Sequence, residues 1–256
     1  QRQMAGAKQR IEQQPAWLLH SLPWRETSLI VEVFSRDLGR VGLVAKGARR
    51  PLSQLRGVLM AFQPLLMDWS GAGEVKTLIR AEWQGGQPLL IGRALLCGYY
   101  LNELLVRLTA REDPHPRLFA AYAEAMAALG RGESQPPILR RFELALLQDL
   151  GYEAALVVEG DSGVAVQPDE RYLYIIERGP VRLETLAEEG VDCTDPTAVG
   201  DQPLISGQTL LDMADDDFSR AQTLAQSKHL LRMLINHTLG GKPLHSRRVL
   251  KELQEL

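Results

Sequence analysis

The chain has little cysteine: Cys97 and Cys193 are the only two among 256 residues. Two thiols cannot build a disulfide framework or a four-thiolate metal site. Long apolar runs are missing too, and nothing approaches the roughly 18 residues that a membrane-spanning helix needs. Residues 1–14 are polar and carry no apolar segment of the kind an export signal requires, so they read as a disordered tail. These absences make the cytoplasm the expected compartment. Catalytic signatures are equally scarce. Neither His-Glu-x-x-His nor Gly-x-Ser-x-Gly occurs. Gly241-Lys242 has the ending of a phosphate-binding loop, but Pro243 stands where Ser or Thr is required and Asn236 where the first Gly belongs. The five histidines are scattered, with His229 and His237 eight apart. The acidic run Asp215-Asp216-Asp217 precedes a predicted helix and reads as a complement to its positive end rather than a cation site. No enzyme, metal or cofactor is expected.

Charge is present and unevenly distributed. The net value of −3 conceals +3 over residues 15–90, zero over 91–150, −13 over 151–217 and +5 over 218–256. A phosphate backbone responds to charge within about a Debye length, roughly 8–10 Å, so the local sums matter more than the total. Two segments can therefore face an anion, and the overall acidity does not exclude nucleic acid.

Residues 15–88 read as short strands. Ala16–Ser21, Leu29–Phe34, Val41–Ala45, the run Gly57–Phe62 and Leu65–Trp69 split by Pro64 as at a bulge or strand edge, and Val75–Trp83 are separated by turn signals such as Ser35 to Arg40 and Ser70 to Gly73. About five strands at this spacing predict a small barrel. An OB fold is the simplest five-stranded candidate, and an SH3-like barrel fits the same pattern. From Leu89 the period becomes helical, with Leu101, Leu104, Leu105 and Leu108 forming one stripe. Further helices are predicted over 118–129, 136–150, 218–239 and 247–256, with Thr209 and Asp212 as a capping box for a short one. Residues 152–205 form an acidic insert with one strand-like run, Tyr172–Ile176. The expected class is α+β: a tail over 1–14, an OB barrel over 15–88, and a helical domain over 89–256 carrying a small irregular β-containing insert.

The candidate anion-binding residues of the barrel are Arg25, Arg36, Arg40, Lys46, Arg49, Arg50, Arg56, Lys76 and Arg80. Lys76 and Arg80 lie four apart on one strand and are expected on one face. Lys46, Arg49 and Arg50 sit in a basic loop that leaves a strand. A small barrel grips a single strand by tracking its backbone with Lys and Arg and stacking bases on aromatics. Most local aromatics are needed for the core, and Trp24, between Pro23 and Arg25, is the candidate for exposure. A second basic cluster contains Arg220, Lys228 and Arg232 on one helical face, then Lys242, Arg247 and Arg248. Arg247 and Arg248 fall at a predicted helix N-terminus, where the dipole disfavours cations and an external anion would be welcome.

Several of these segments resemble the RecO family of DNA-repair mediators in its proteobacterial form. They include Leu18 to Ser28, Gly39-Arg40-Val41 leading to Val44 to Arg49, Gly73 to Leu78, Tyr100 to Leu105, Arg140 to Leu147, Leu150-Gly151-Tyr152 and Gly240 to Leu244 with Ser246-Arg247. The resemblance covers about residues 15–253. It implies an OB domain and a helical domain, binding of single- and double-stranded DNA, annealing of complementary strands, and a nucleoid association. With RecR, it implies loading of RecA onto strands coated by single-stranded-DNA-binding protein (SSB), and no nucleotide hydrolysis. It also implies docking of the acidic, Phe-ending SSB tail on the helical domain, where Arg140, Arg141 and Phe142 match the docking position. Some members hold zinc on four cysteines in the insert, and the single Cys193 there implies a zinc-free version. The competing reading is an adaptor that bridges SSB and RecR with little DNA contact of its own.

Overall fold

The computed structural model describes residues 10–152, 155–160, 162–193 and 200–254. Among these, residues 10–133 with 244–254 form one compact unit and 134–243 a second.

The first unit is built on five strands: β1 (Arg10–Trp24), β2 (Ser28–Ser35), β3 (Gly39–Ala45), β4 (Pro64–Ser70) and β5 (Val75–Trp83). They close into a barrel in the order β1-β2-β3-β5-β4, with β3 and β5 parallel and the other pairs antiparallel. This is the connectivity of an OB fold. Strand β1 closes the barrel because it bends. Its residues 10–17 pair with β4 and residues 16–24 with β2, and its register shifts twice along the way. Leu18, Val31, Val33, Val41, Leu43, Leu65, Met67, Trp69 and Leu78 fill the interior. Their alternation with the outward positions is the period of two that the sequence carries.

Burial on β1 and β2 is nevertheless two-sided. Trp17 and Phe34, neighbours across the strand pair, point away from the barrel interior and are also buried. They pack against Tyr122 of helix α3 (Pro116–Gly130) with ring centroids 5.4 and 6.3 Å apart. The Tyr122 hydroxyl donates to Asn102 of helix α2 (Gly92–Leu108) at 2.5 Å, and the Asn102 amide donates to the Leu19 carbonyl at 3.1 Å. Helices α2 and α3 thus belong with the barrel.

Two expectations are corrected here. Residues 10–14 are not tail. They start β1, where Arg10 pairs with Ser70 and Gln14 is buried with its amide on Asp37. The rest of the expected tail lies outside the described residues. Gly57–Phe62 is not a strand: the short helix α1 (Leu55–Val58) and a loop occupy it, and Gly57 has open space around it. Pro64 sits at the first position of β4, where its missing N–H costs no ladder bond.

The second unit contains α4 (Gln135–Asp149), β6 (Arg171–Ile175), β7 (Gly179–Arg182), α5 (Leu183–Glu188), β8 (Leu204–Ser206), α6 (Gly207–Ala214) and α7 (Ala221–Thr238). The insert is more ordered than its composition implied. Its one expected strand is the centre of a three-stranded sheet in the order β7-β6-β8, closed over Leu173, Val181 and Leu186. The cap of α6 also differs from expectation. Ser206 accepts from the Thr209 N–H, while Asp212 turns to the Thr223 hydroxyl at 2.6 Å. The last helix, α8 (His245–Gln254), returns to the first unit beside α2. No helix among the described residues is long and apolar enough to cross a membrane.

A candidate nucleic-acid interface on the barrel

Two connections meet at one end of the barrel: the β1–β2 turn (residues 25–27) and the loop from β3 to α1 (residues 46–54). Backbone bonds join them. The Arg49 N–H donates to Thr27 O at 2.8 Å, and the Gly47 N–H to Ser28 Oγ at 3.4 Å. Gly47 adopts φ +68°, and the Arg50 side chain lies over the face where a Cβ would project. The turns enclose an open cleft of about 550 Å³ lined by Trp24, Arg25, Thr27, Lys46 and Arg50, with Glu26 its one acid. A second hollow of about 350 Å³ is lined by Leu29 of β2, Ala48 and Arg49 of the loop, Leu55 and Arg56 of α1, and Leu59. Arg25, Lys46, Arg49 and Arg50 thus come from the two loops and Arg56 from α1, with Arg25, Lys46 and Arg50 lining the cleft and Arg49 and Arg56 the hollow. Among the described residues none of the five is in an ion pair.

The other four barrel candidates are engaged elsewhere. Arg36 pairs with Asp37 at 2.9 Å in the β2–β3 turn, and the Arg36 guanidinium holds that carboxyl below its ordinary range. Arg40 is structural rather than available. It donates to Glu32 at 2.6 Å and to the Thr109 carbonyl at 2.8 Å, and its side chain is 11% exposed. Glu32, itself buried, also accepts from Arg111 at 2.7 and 3.1 Å. This cluster fastens the α2–α3 connection to the barrel, with the Glu112 N–H on the Arg40 carbonyl at 2.9 Å. The approach is so close that a Cβ on Gly39 would stand 1.9 Å from the Asp113 carbonyl oxygen. Lys76 is tied to Glu112 and Arg80 to Glu82.

Lys76 and Arg80 do not share a face. Asp68 faces Arg80 while Trp69 faces Leu78, so Ile79 has no partner across the β4–β5 ladder. This bulge inverts the alternation. Leu78 and Ala81 pack on the core, Arg80 points outward beside Asp68, and Lys76 lies on the side of Leu78 with its side chain 15% exposed. The bulge also leaves Ile79 exposed, which period-two reasoning missed, and Trp83 is exposed at the end of β5.

The C-terminal basic group is divided. Lys242 belongs to the second unit and Arg247 and Arg248 to the first. The N-terminus of α8 already has an anion, and it is internal. The Glu103 carboxylate accepts from the His245 N–H at 2.7 Å, the Ser246 N–H at 2.9 Å and the Ser246 hydroxyl at 2.7 Å. Arg247 lies over the Tyr100 ring. Burial pushes the Glu103 carboxyl up, but the bonds from Ser246 and His245 outweigh it and hold the group below its ordinary 4.5. A depressed carboxyl stabilises the fold above its unfolded value and loses that contribution as pH falls through its folded value. Glu103→Gln should therefore be destabilising in urea melts at pH 7, and the difference from wild type should shrink as pH falls below about 4.5.

On α4, the side chains of Arg140 and Phe142 are buried and do not present themselves at the surface. Arg140 forms a bidentate pair with Glu143 at 2.7 Å with both side chains buried, and Phe142 is 1% exposed in the core. Arg141 differs. Its guanidinium is half exposed, sits 5.8 Å from the Phe218 ring centroid and bonds to Asp216 at 3.0 Å. Among the described residues no group of three or more His, Cys, Asp or Glu could hold a metal ion.

Two family descriptions cover the chain: Recombination protein O N terminal over residues 10–86, and Recombination protein O C terminal over residues 92–248. The chain belongs to the RecO family of DNA repair proteins. The N-terminal match begins at Arg10, where β1 begins. The chain is 71% identical over 249 residues to the DNA repair protein RecO of Aromatoleum aromaticum, covering 97% of this chain and 99% of that one. It is 69% identical to that of Azoarcus sp., with 98% and 100% covered. Identity is 52% to that of Dechloromonas aromatica, with 97% and 99% covered. Its role is in DNA repair and recombination.

Proposed function

We propose that the chain binds single- and double-stranded DNA through the face formed by Arg25, Lys46, Arg49, Arg50 and Arg56 and anneals complementary strands. With RecR it promotes loading of RecA onto SSB-coated single strands, without catalysing a covalent step, and it associates with the nucleoid. The observation that carries this reading is the gathering of five cations, none in an ion pair among the described residues and with Glu26 the one acid lining the cleft, at one end of an OB barrel. The pairs Arg36–Asp37, Arg40–Glu32, Lys76–Glu112 and Arg80–Glu82 satisfy their cations internally. The five make no such pair, although Arg49 donates to the Arg25 and Glu26 carbonyls, so their charge is not neutralised and their field is open to phosphate. Such contacts release counterions, and log affinity for a single strand should fall with log salt by about 0.7 per phosphate engaged. A titration of a labelled oligonucleotide across a salt series tests this. Arg36→Glu should leave the slope near the wild-type value.

A second activity rests on Arg141. A half-exposed guanidinium, held in the chain by Asp216 that an incoming carboxylate would replace, suits a peptide that ends in an acidic residue, a Phe and a carboxylate. On this reading the chain also docks the SSB tail. Arg141→Ala should weaken binding of the isolated tail peptide about tenfold by fluorescence anisotropy, the loss of one charge-assisted hydrogen bond, while leaving DNA binding by the barrel unchanged. Equal peptide binding by the variant would remove Arg141 from the docking site.

A further inference from the structure

We infer that Trp24 is a stacking platform for an unpaired nucleobase, so that the cleft beside the β1–β2 turn selects single strands over duplex. The inference rests on the DNA-binding reading above and adds a base-recognition subsite to it. The chain has four tryptophans. Trp17 and Trp69 are buried in the barrel and its helical cover. Trp83 is exposed but bonded through its indole N–H to Gln63 at 2.8 Å, and it lines neither the cleft nor the hollow that the five cations line. Trp24 alone lines the basic cleft, and it is 43% exposed there.

An indole left half in water forgoes much of the stabilisation that its burial would give. Here the last residue of β1 holds it, paired with Ser28 across the hairpin. Arg25 follows in the left-handed region at φ +51°, a strained conformation for a residue with a side chain. Its guanidinium sits 5.9 Å from the Trp24 ring centroid. The guanidinium lies over the indole ring, so a phosphate-binding charge and an aromatic surface meet here, with Lys46 and Arg50 lining the same cleft. That is the pairing of elements a single strand needs: cations along the backbone and a ring for a base. A duplex offers the phosphates but keeps its base faces stacked inside, so it gains from the cations and not from the indole.

The test compares a thymidine 20-mer with an abasic strand of the same length, which keeps the phosphates and lacks the bases. The full chain should bind the thymidine strand about tenfold more tightly than the abasic one. Trp24→Ala should abolish that preference while keeping wild-type affinity and salt slope on the abasic strand. Trp24→Phe, which keeps a ring, should retain most of the preference. A Trp24→Ala protein that keeps the full preference, or one that weakens on both strands equally, would overturn the inference. If the wild-type chain binds neither strand, the DNA-binding reading itself fails and the subsite falls with it.

Discussion

Glu32→Ala is expected to lower the unfolding free energy by about 3 kcal/mol, the cost of leaving a buried charge without its partner. Glu32 lies on β2 and accepts from two guanidiniums, Arg40 at 2.6 Å and Arg111 at 2.7 and 3.1 Å. Arg40 is almost enclosed, and its other acceptors belong to Thr109. Removing the carboxylate leaves that guanidinium in a poorly solvated site with neutral oxygens only. Arg111 reaches solvent more freely, so its share of the loss is smaller. Urea unfolding would measure the total. Hydrogen exchange would locate it, with protection falling first at the Glu112 amide that donates to Arg40. A loss under about 1 kcal/mol would mean that the cluster behaves as an ordinary solvated pair.

The second large effect concerns DNA. The triple reversal Lys46→Glu, Arg49→Glu, Arg50→Glu should weaken single-strand binding about 100-fold at 0.1 M salt. The magnitude follows from counterion release: each phosphate contact carries about 0.7 in the log–log slope, and three contacts over one decade of salt amount to about two decades in affinity. The side chains lie in a loop outside the barrel core, so the melting temperature should change little. The same reversal at Arg40 would report on folding instead of DNA, because that residue holds the α2–α3 connection to the barrel.

Much of this organisation was legible in the sequence. Alternation at Leu29–Phe34 and Val41–Ala45 identified the β2–β3 hairpin, and the basic loop at Lys46–Arg50 was visible as a run leaving a strand. Trp24 was singled out from its place between Pro23 and Arg25, and it is indeed exposed. What escaped has a common cause: partners far apart in the chain. Nothing near Arg40 announces Thr109 or Arg111, which are 69 and 71 positions away and reach Arg40 and its partner Glu32 only in the fold. The N-terminus of α8 looked short of an anion because Glu103 lies 143 residues before Ser246. The bulge at Ile79 cannot be read from a strand considered alone, since it exists only against β4. Residues 10–14 were assigned to a tail for their polarity, yet they pair with β4 through backbone bonds, and Ile11, the one apolar side chain among them, packs against the barrel core. The Arg140–Glu143 pair was within reach, because a spacing of three on a helix places the two side chains together.

The most direct test of the account is the salt dependence of single-strand binding by the full chain, free of SSB and RecR. Five phosphate contacts predict a log–log slope of about −3.5, reduced by about two units in the triple reversal of Lys46, Arg49 and Arg50. A slope near zero, or one that the reversal leaves untouched, would contradict it and favour a protein that bridges partners without gripping DNA.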